Sequence, residues 1–328
     1  MEAFMNWSLV GTGNIVRKFI IGLRHAEGAV VSTVVSRSEE KAEAFAEEYG
    51  IPDFTSSYDS VINNPDIDIV YIGTPHTSHM EYAMRALEKG KAVLCEKPMT
   101  VSRKDAEKVI ECARSHNTFF MEAVWTRFLP AMVKVREWLA DGLVGDVKLV
   151  EADFGFRAPF IPEWRLFNRE LGGGSLLDVG IYPVTVSQMI YGRKPERIVS
   201  SMFLGKTGVD EMTNIILDYG NGSSAVLNSC VNSNLDTVCR IYGTKGKIVI
   251  PDFVYARSAE LTVYNEFTEV SSPDFISNGY NYETEEVMKC VKNGLAESPV
   301  MPHSDSLDVL SIMDTVRHSG GLYYQEEE

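Results

Sequence analysis

An apolar run stops at a charged pair in "AVLCEKPMT" (92–100), where Ala92-Val93-Leu94 gives way to Glu96, Lys97 and Pro98. The carboxyl ends of parallel strands line the ligand crevice of open α/β sheets. An ammonium placed there can hold or polarise a substrate oxygen. Pro98 biases Lys97 toward an extended backbone and permits a cis bond at low cost. A cis bond would aim the ammonium into the cleft; a lone solvated lysine is the alternative. Far downstream, Asp178 and Tyr182 stand at i and i+4 of a helical pattern, so both can face one cleft. Read alone, that pair is also compatible with a helix-start carboxylate and a core aromatic.

"SLVGTGNIVRKFI" places Gly11 and Gly13 between an apolar run and a helical pattern. Gly11 permits a tight turn, and Gly13 lets the backbone, with Asn14 and Ile15, approach a pyrophosphate at a helix N-terminus. Val16 replaces the third glycine of the usual fingerprint, which tightens helix–strand packing without blocking the phosphate. The next strand pattern, "VVSTVVSRSEE", ends in Ser36-Arg37-Ser38 with no carboxylate before Glu39. A carboxylate there would hold a ribose 2′-hydroxyl, whereas Arg37 can pair with a 2′-phosphate. NADP(H) is therefore favoured over NAD(H). His76 and His79 lie three residues apart without a carboxylate partner, so no metal site is expected; His79 is expected to cap or pack the following helix.

The elements that position these residues follow from periodicity. Strand and helix patterns alternate through the first ~125 residues, which predicts right-handed crossovers and a parallel sheet covered on both faces. Beyond them, strand-like segments near 147–156, 196–205, 212–219, 223–231, 237–242 and 247–250 are separated by turn signals, with a long helix near 175–191. Helical patterns return at about 281–294 and 304–319, and "YQEEE" reads as a frayed end. The expected fold is α/β. Residues 1–124 form a Rossmann-type, doubly wound dinucleotide-binding domain. Residues 125–328 form an α+β domain with a large open, mostly antiparallel sheet, for substrate binding and oligomerisation.

A chain of 328 residues, 45 % hydrophobic and 23 % charged, is ordinary for a globular protein of two domains. A formal charge of −15 disfavours a polyanionic partner such as nucleic acid. No apolar run is long enough for a membrane span, and the start lacks a signal-like segment. The five cysteines are scattered, with no CxxC pair, which fits reduced thiols in a cytoplasm.

Together "GTGNI", "TPHTSH", "EKPMT" and "GGGSLLDVGIYP" resemble the glucose–fructose oxidoreductase/inositol dehydrogenase/MocA (Gfo/Idh/MocA) family of NAD(P)-dependent oxidoreductases. The likeness spans nearly the whole chain. Within the family, "LCEKP", "MEAVWTRFLP" and "GGGSLLDVGIYPV" look most like the dimeric dihydrodiol dehydrogenase branch, to which some pentose dehydrogenases are similar.

The resemblance implies that Lys97 contacts the nicotinamide ribose and the substrate hydroxyl. It also implies that the motif Asp178-x-x-x-Tyr182 carries the proton-transfer residue, where many relatives have His in place of Tyr. It implies that Thr74, Pro75 and His76, with His79 and Glu96, lie on the cofactor side, and that Trp164 and Arg165 belong to a loop over the cofactor. Trp125, Arg127 and Phe154 are candidates for the substrate pocket. A free phenol, with a pKa near ~10, is a poor base at neutral pH, and a neighbouring ammonium would favour the phenolate.

The expected activity is hydride transfer between NADP(H) and a sugar, polyol or trans-dihydrodiol. Alternatives are an NAD-dependent inositol- or sugar-type dehydrogenase and a non-catalytic NADP-binding sensor. The resemblance also implies a homodimer through the open sheet.

Overall fold

Runs of β-branched and aliphatic residues alternate with amphipathic stretches in the first third of the chain, and each becomes a strand or a helix. The structure, a computed structural model, describes residues 4–324. The elements run β1 (Met5–Val10), α1 (Asn14–Leu23), β2 (Ala29–Val35), α2 (Glu39–Tyr49), β3 (Asp53–Thr55), α3 (Tyr58–Ile62), β4 (Ile69–Ile72), α4 (His79–Leu87), β5 (Ala92–Glu96), α5 (Arg103–Ser115) and β6 (Phe120–Ala123). Then follow α6 (Pro130–Ala140), β7 (Val147–Gly155), α7 (Ile181–Tyr191), β8 (Arg197–Leu204), β9 (Asp210–Asp218), β10 (Ser224–Cys230), β11 (Cys239–Gly243), β12 (Gly246–Ile250), β13 (Ala259–Val263), β14 (Phe267–Ser271), α8 (Tyr280–Lys292) and α9 (His303–Ser319). Residues 325–328, most of the segment read as a frayed end, lie outside the described residues.

The chain divides into two compact units. The first takes in the chain to Thr100, residues 104–125 and residues 276–303. Its six strands are ordered β3-β2-β1-β4-β5-β6 and are all parallel. Every residue of β4 and β5 is buried, as strands covered on both faces require. The strand order reverses beside β1, which is the switch point where such sheets take ligands.

The second domain expected over 125–328 is interrupted, because α8 returns to the first unit and packs on α1. Gly22 makes that crossing possible, since a Cβ there would lie 2.6 Å from the Cβ of Tyr280 and 2.9 Å from the backbone nitrogen of Asn281. Asn278 donates to the Lys18 carbonyl at 2.8 Å, and Phe19 stacks on Tyr71 at 3.6 Å beneath it. On the far edge, the Phe120 amide donates to the Ala296 carbonyl at 3.0 Å, so returning chain covers β6.

The second unit is built on eight strands ordered β14-β13-β12-β11-β7-β10-β9-β8. Only β7 and β10 pair in parallel. The hairpin β13–β14 is an addition to the expected strands. The helix expected near 175–191 opens with a π-helical turn, Leu176–Gly180, and continues as α7. Residues Ile181–Gln188 are all buried, and α7 packs on β7 and β10. The sheet face beneath it carries Val150, Ala152, Ile215, Leu217, Ala225 and Leu227, all buried. On the opposite face Val199 and Ile216 remain half exposed. Among the described residues no helix is long and apolar enough to cross a membrane, and all five cysteines are buried without disulfides.

Helix propensity alone makes Gly22→Ala stabilising by roughly 1 kcal/mol. The approach of α8 reverses the sign, and the variant is expected to lose about 1–3 kcal/mol in urea unfolding. A raised midpoint would contradict the packing described here.

Candidate active site

In the first unit the chain leaves β1 at Gly11, whose φ of +114° is open to glycine. A Cβ at Gly11 would lie 2.8 Å from the Gly73 carbonyl oxygen at the end of β4. A Cβ at Gly73 would in turn lie 2.7 Å from Val16 Cγ2. Val16 can therefore replace the third glycine of the fingerprint because β4 ends in one. Gly73 was not singled out from the sequence, although "YIGTP" carries it. Gly13 is the N-cap of α1 with no side-chain cap, no acidic residue occupies the first turn, and no atom lies within 4 Å of where a Cβ would stand. The uncapped amides that begin with Asn14 and Ile15 therefore fit a pyrophosphate.

After β2, the Ser36 amide donates to the Thr55 carbonyl, and Ser38 caps α2 by accepting from the Lys41 amide at 3.3 Å. Arg37 between them is exposed and has no side-chain hydrogen bond or ion pair among the described residues. No carboxylate ends the strand.

At the next strand ends, Ser78 donates to the Thr74 hydroxyl at 2.9 Å, following Pro75 and the buried His76. His79 is the first residue of α4, the helix it is expected to cap or pack. It is fully buried, with Nδ1 2.8 Å from the Pro98 carbonyl and Nε2 2.9 Å from the Thr74 carbonyl. Its ring ties two strand-end loops together. Both ring nitrogens are engaged by backbone.

The Lys97–Pro98 bond is cis and Lys97 is half-buried. Its loop is held from beneath by carboxylates. Glu96 accepts from the Tyr71 hydroxyl at 2.7 Å and from the Lys97 amide at 3.3 Å, while Glu122 accepts from the Met99 amide at 2.9 Å. Glu283 of α8 is fully buried, and neither of its oxygens has a partner. Burial first, and the nearby Glu96 second, push its carboxyl well above the usual range.

In the second unit the glycine run precedes the motif residues. A Cβ at Gly173 would meet the carbonyls of Arg165, Asn168 and Leu166 at 2.4–2.8 Å. The loop Trp164–Gly174 thus wraps on its own backbone, with Trp164 exposed. Arg165, expected over phosphate, donates from Nη2 to Asp178 Oδ1 at 2.8 Å. Tyr182 is 9 % exposed and packs edge-on against Phe154, at 5.6 Å and 74°. Phe154 in turn packs against Leu166, Phe167, Val179 and Val231.

Two pocket candidates are accounted for by packing. Arg127, 3 % exposed, donates to Asp305 at 2.6 Å and to Gln188 at 2.7 Å. Trp125, in the first unit, stacks on Tyr280 at 4.6 Å and 13°. Tyr255 was missed by the sequence reading. Burial, then Asp252 and Asp178, raise its hydroxyl pKa, which places it in the electrostatic neighbourhood of the motif carboxylate. Among the described residues no three His, Cys, Asp or Glu side chains converge as metal ligands.

Two family models match this chain. Residues 5–124 match the GFO/IDH/MocA oxidoreductase family, NAD-binding Rossmann fold, and residues 132–249 match the GFO/IDH/MocA C-terminal domain. The chain belongs to the GFO/IDH/MocA oxidoreductase family. It is 37 % identical to trans-1,2-dihydrobenzene-1,2-diol dehydrogenase of Xenopus laevis, over 97 % of this chain and 98 % of that protein. Identity to the enzyme of the same name from Danio rerio is 38 %, over 98 % and 99 %. Aldose-aldose oxidoreductase of Caulobacter crescentus, solved with glycerol, superposes with a TM-score of 0.88 at 25 % identity, covering 97 % of this chain and 98 % of that one. The protein is accordingly an NAD(P)-dependent dehydrogenase whose first unit binds a nicotinamide cofactor.

The contact between Gly73 and Val16 predicts a second-site rescue. Gly73→Ala is expected to weaken cofactor binding about tenfold or more, because the start of α1 must shift, and Val16→Ala in the same chain should recover much of the loss. Titration of nicotinamide fluorescence reports both; equal binding by Gly73→Ala and the parent would remove the proposed dependence.

Proposed function

We propose that this enzyme uses NADP(H) to interconvert a CH–OH group and the corresponding carbonyl on a vicinal diol, a sugar or a related polyol. The observation that carries the reading is near full-length identity of 37–38 % to dehydrogenases named for a trans-dihydrodiol. It is joined to the retention of Lys97, Asp178 and Tyr182. The bound nicotinamide supplies the hydride acceptor or donor. Gly11, Gly13, Asn14 and Ile15 hold the pyrophosphate at the start of α1. Arg37 takes the 2′-phosphate, and its guanidinium has no competing partner among the described residues. Thr74, Pro75 and His76 lie beside the nicotinamide ribose.

In this reading Tyr182 takes or returns the hydroxyl proton, while Lys97 orients the hydroxyl and favours the phenolate, as an ammonium beside a phenol does. Asp178, bonded to Arg165, orders the turn from which Tyr182 follows. Phe154 supplies an apolar wall to the substrate through its contact with Tyr182. The same reading makes Trp164 and Arg165 a cover over the cofactor.

A panel of pentoses, hexoses, inositols and aromatic trans-diols, scored by nicotinamide absorbance with each cofactor, tests the substrate class. Lys97→Met and Tyr182→Phe are each expected to cut turnover about a hundredfold or more, in line with the ~10²–10⁴-fold worth of a positioned acid–base, while NADP(H) still binds. Near-normal turnover in both variants, or a preference for NAD(H), overturns the corresponding part. Binding of NADP(H) with no turnover on any member would favour a sensor.

We also infer a homodimer through the open sheet face. Val199 and Ile216 are cross-strand partners there, 50 % and 48 % exposed, and contiguous apolar surface of this kind marks an association site. Sedimentation equilibrium is expected to give twice the chain mass; a monomer at micromolar concentration rejects the interface.

A further inference from the structure

Beneath the motif that carries Asp178 and Tyr182 lies a carboxylate that the mechanism does not use. Asp210, the first residue of β9, is fully buried. Its Oδ2 accepts from the Leu176 amide at 2.7 Å and from the Thr213 hydroxyl at 2.8 Å. Its Oδ1 has no partner and lies against Gly174, where a Cβ would stand only 2.3 Å away. Gly174 has a φ of +124°, so its conformation and its lack of a side chain both answer to this carboxylate. The Gly174 carbonyl in turn accepts from the Asp178 amide at 3.2 Å. One side chain from a distant strand thus touches the last glycine of the run and the first residue of the π-helical turn Leu176–Gly180. Such turns are uncommon and are frequently found at functional sites.

We propose that Asp210 is a positioning residue, a buried carboxylate whose charge holds the turn 174–180 in the conformation that presents Asp178 and Tyr182, at the expense of fold stability. This rests on the reading of those two residues as the working pair. A charge-assisted bond to an amide is roughly twice as strong as a neutral one, so ionisation matters to how firmly Leu176 is held. The charged side chain acting on Asp210 from a neighbouring element is Arg317 of α9, itself bonded to Asp314 at 2.6 Å; on the turn, Asp178 is paired with Arg165. Burial pushes the carboxyl up to about 6, against the opposing pull of Thr213, the Leu176 amide and Arg317.

The sign of the linkage follows. The folded chain holds this proton more tightly than the unfolded one, so the contribution to stability is complete below pH ~4. It is lost as pH rises to ~6 and stays lost above. The charge that costs stability is present at neutral pH, where the turn is held.

Asp210→Asn keeps an acceptor for Leu176 and removes the charge. The expected stability difference between variant and parent changes with pH between ~4 and ~6, in favour of the variant at pH 7, while amide exchange at Leu176 accelerates severalfold. With a substrate from the panel, kcat of the parent falls about tenfold on acidification through pH ~6, and the variant stays low at every pH with cofactor affinity unchanged. Thr213→Val, which removes one stabilising donor and leaves the Leu176 contact, should move the limb to higher pH. A pH-independent stability difference, or unchanged Leu176 exchange in Asp210→Asn, overturns the proposal. These two measurements need no substrate, so they separate its failure from failure of the assigned function. Normal exchange-coupled behaviour with an unaltered kcat profile would also overturn it, because the turn would then respond to Asp210 without mattering to turnover.

Discussion

Backbone-to-backbone contact at the carboxyl edge of the parallel sheet is the constraint on which the cofactor half depends. Gly11 and Gly73 leave adjacent strands, and no side chain fits between them. Because they meet without one, α1 begins directly at the sheet edge with its first amides uncapped. A helix start carries roughly half a positive charge, and here no acidic side chain in the first turn offsets it. Val16 shows that the usual third glycine is one solution to a spacing problem. What must be small is one member of the pair where α1 meets the end of β4, and in this chain that member is Gly73.

Buried carboxyls do much of the remaining ordering. Glu96 and Glu122 each accept a backbone amide in the 96–99 segment, which fixes the loop around Lys97. Asp210 does the same for the turn 174–180. Each spends desolvation energy that an apolar residue would not, and such expense is characteristic of sites kept in a particular conformation for a task. Glu283 differs from them: neither of its oxygens has a partner, and burial with the nearby Glu96 pushes its carboxyl upward.

Local pattern carried much of the architecture. Each strand of the first sheet except the three-residue β3 followed from an apolar run, and the Gly11/Gly13 turn was visible because strand, glycines and helix pattern are contiguous. Six strands of the second sheet were legible from alternation and glycine turns. β13 and β14 were not, since "ELTVYNEFTEV" lies at the sheet's edge, where polar residues weaken the alternation. Long-range pairings were beyond reach for a different reason. Nothing near Arg127 in sequence announces Asp305 or Gln188, and nothing near Trp125 announces Tyr280. Their residue types suited a pocket as well as a core, and only packing separates the two. Arg165 shows the same limit, because its partner Asp178 lies across a glycine-bent loop. Alternation in β9 turns Thr213, Ile215 and Leu217 inward and leaves Asp210 out of phase with them, so its burial depends on the irregularity opposite Phe203 and Leu204 and on the approach of Leu176.

The return of residues 276–303 changes what a domain means in this chain. Sequence pattern and family models both treat the first ~124 residues as a unit, and the strands of that sheet do lie within them. Yet Gly22 on α1 is shaped for a helix that begins 258 residues later, taking Tyr280 as its first residue. Without α8, Phe19 would lose its edge contact with Tyr280, and Trp125 would lose the ring on which it stacks. The cofactor half is therefore completed only after the whole second sheet has been made. Its apolar surface stays uncovered until contacts of very large sequence separation form, the kind that raise the entropic cost of folding. A glycine in mid-helix, unfavourable by propensity, is the mark that this late contact leaves on the early sequence.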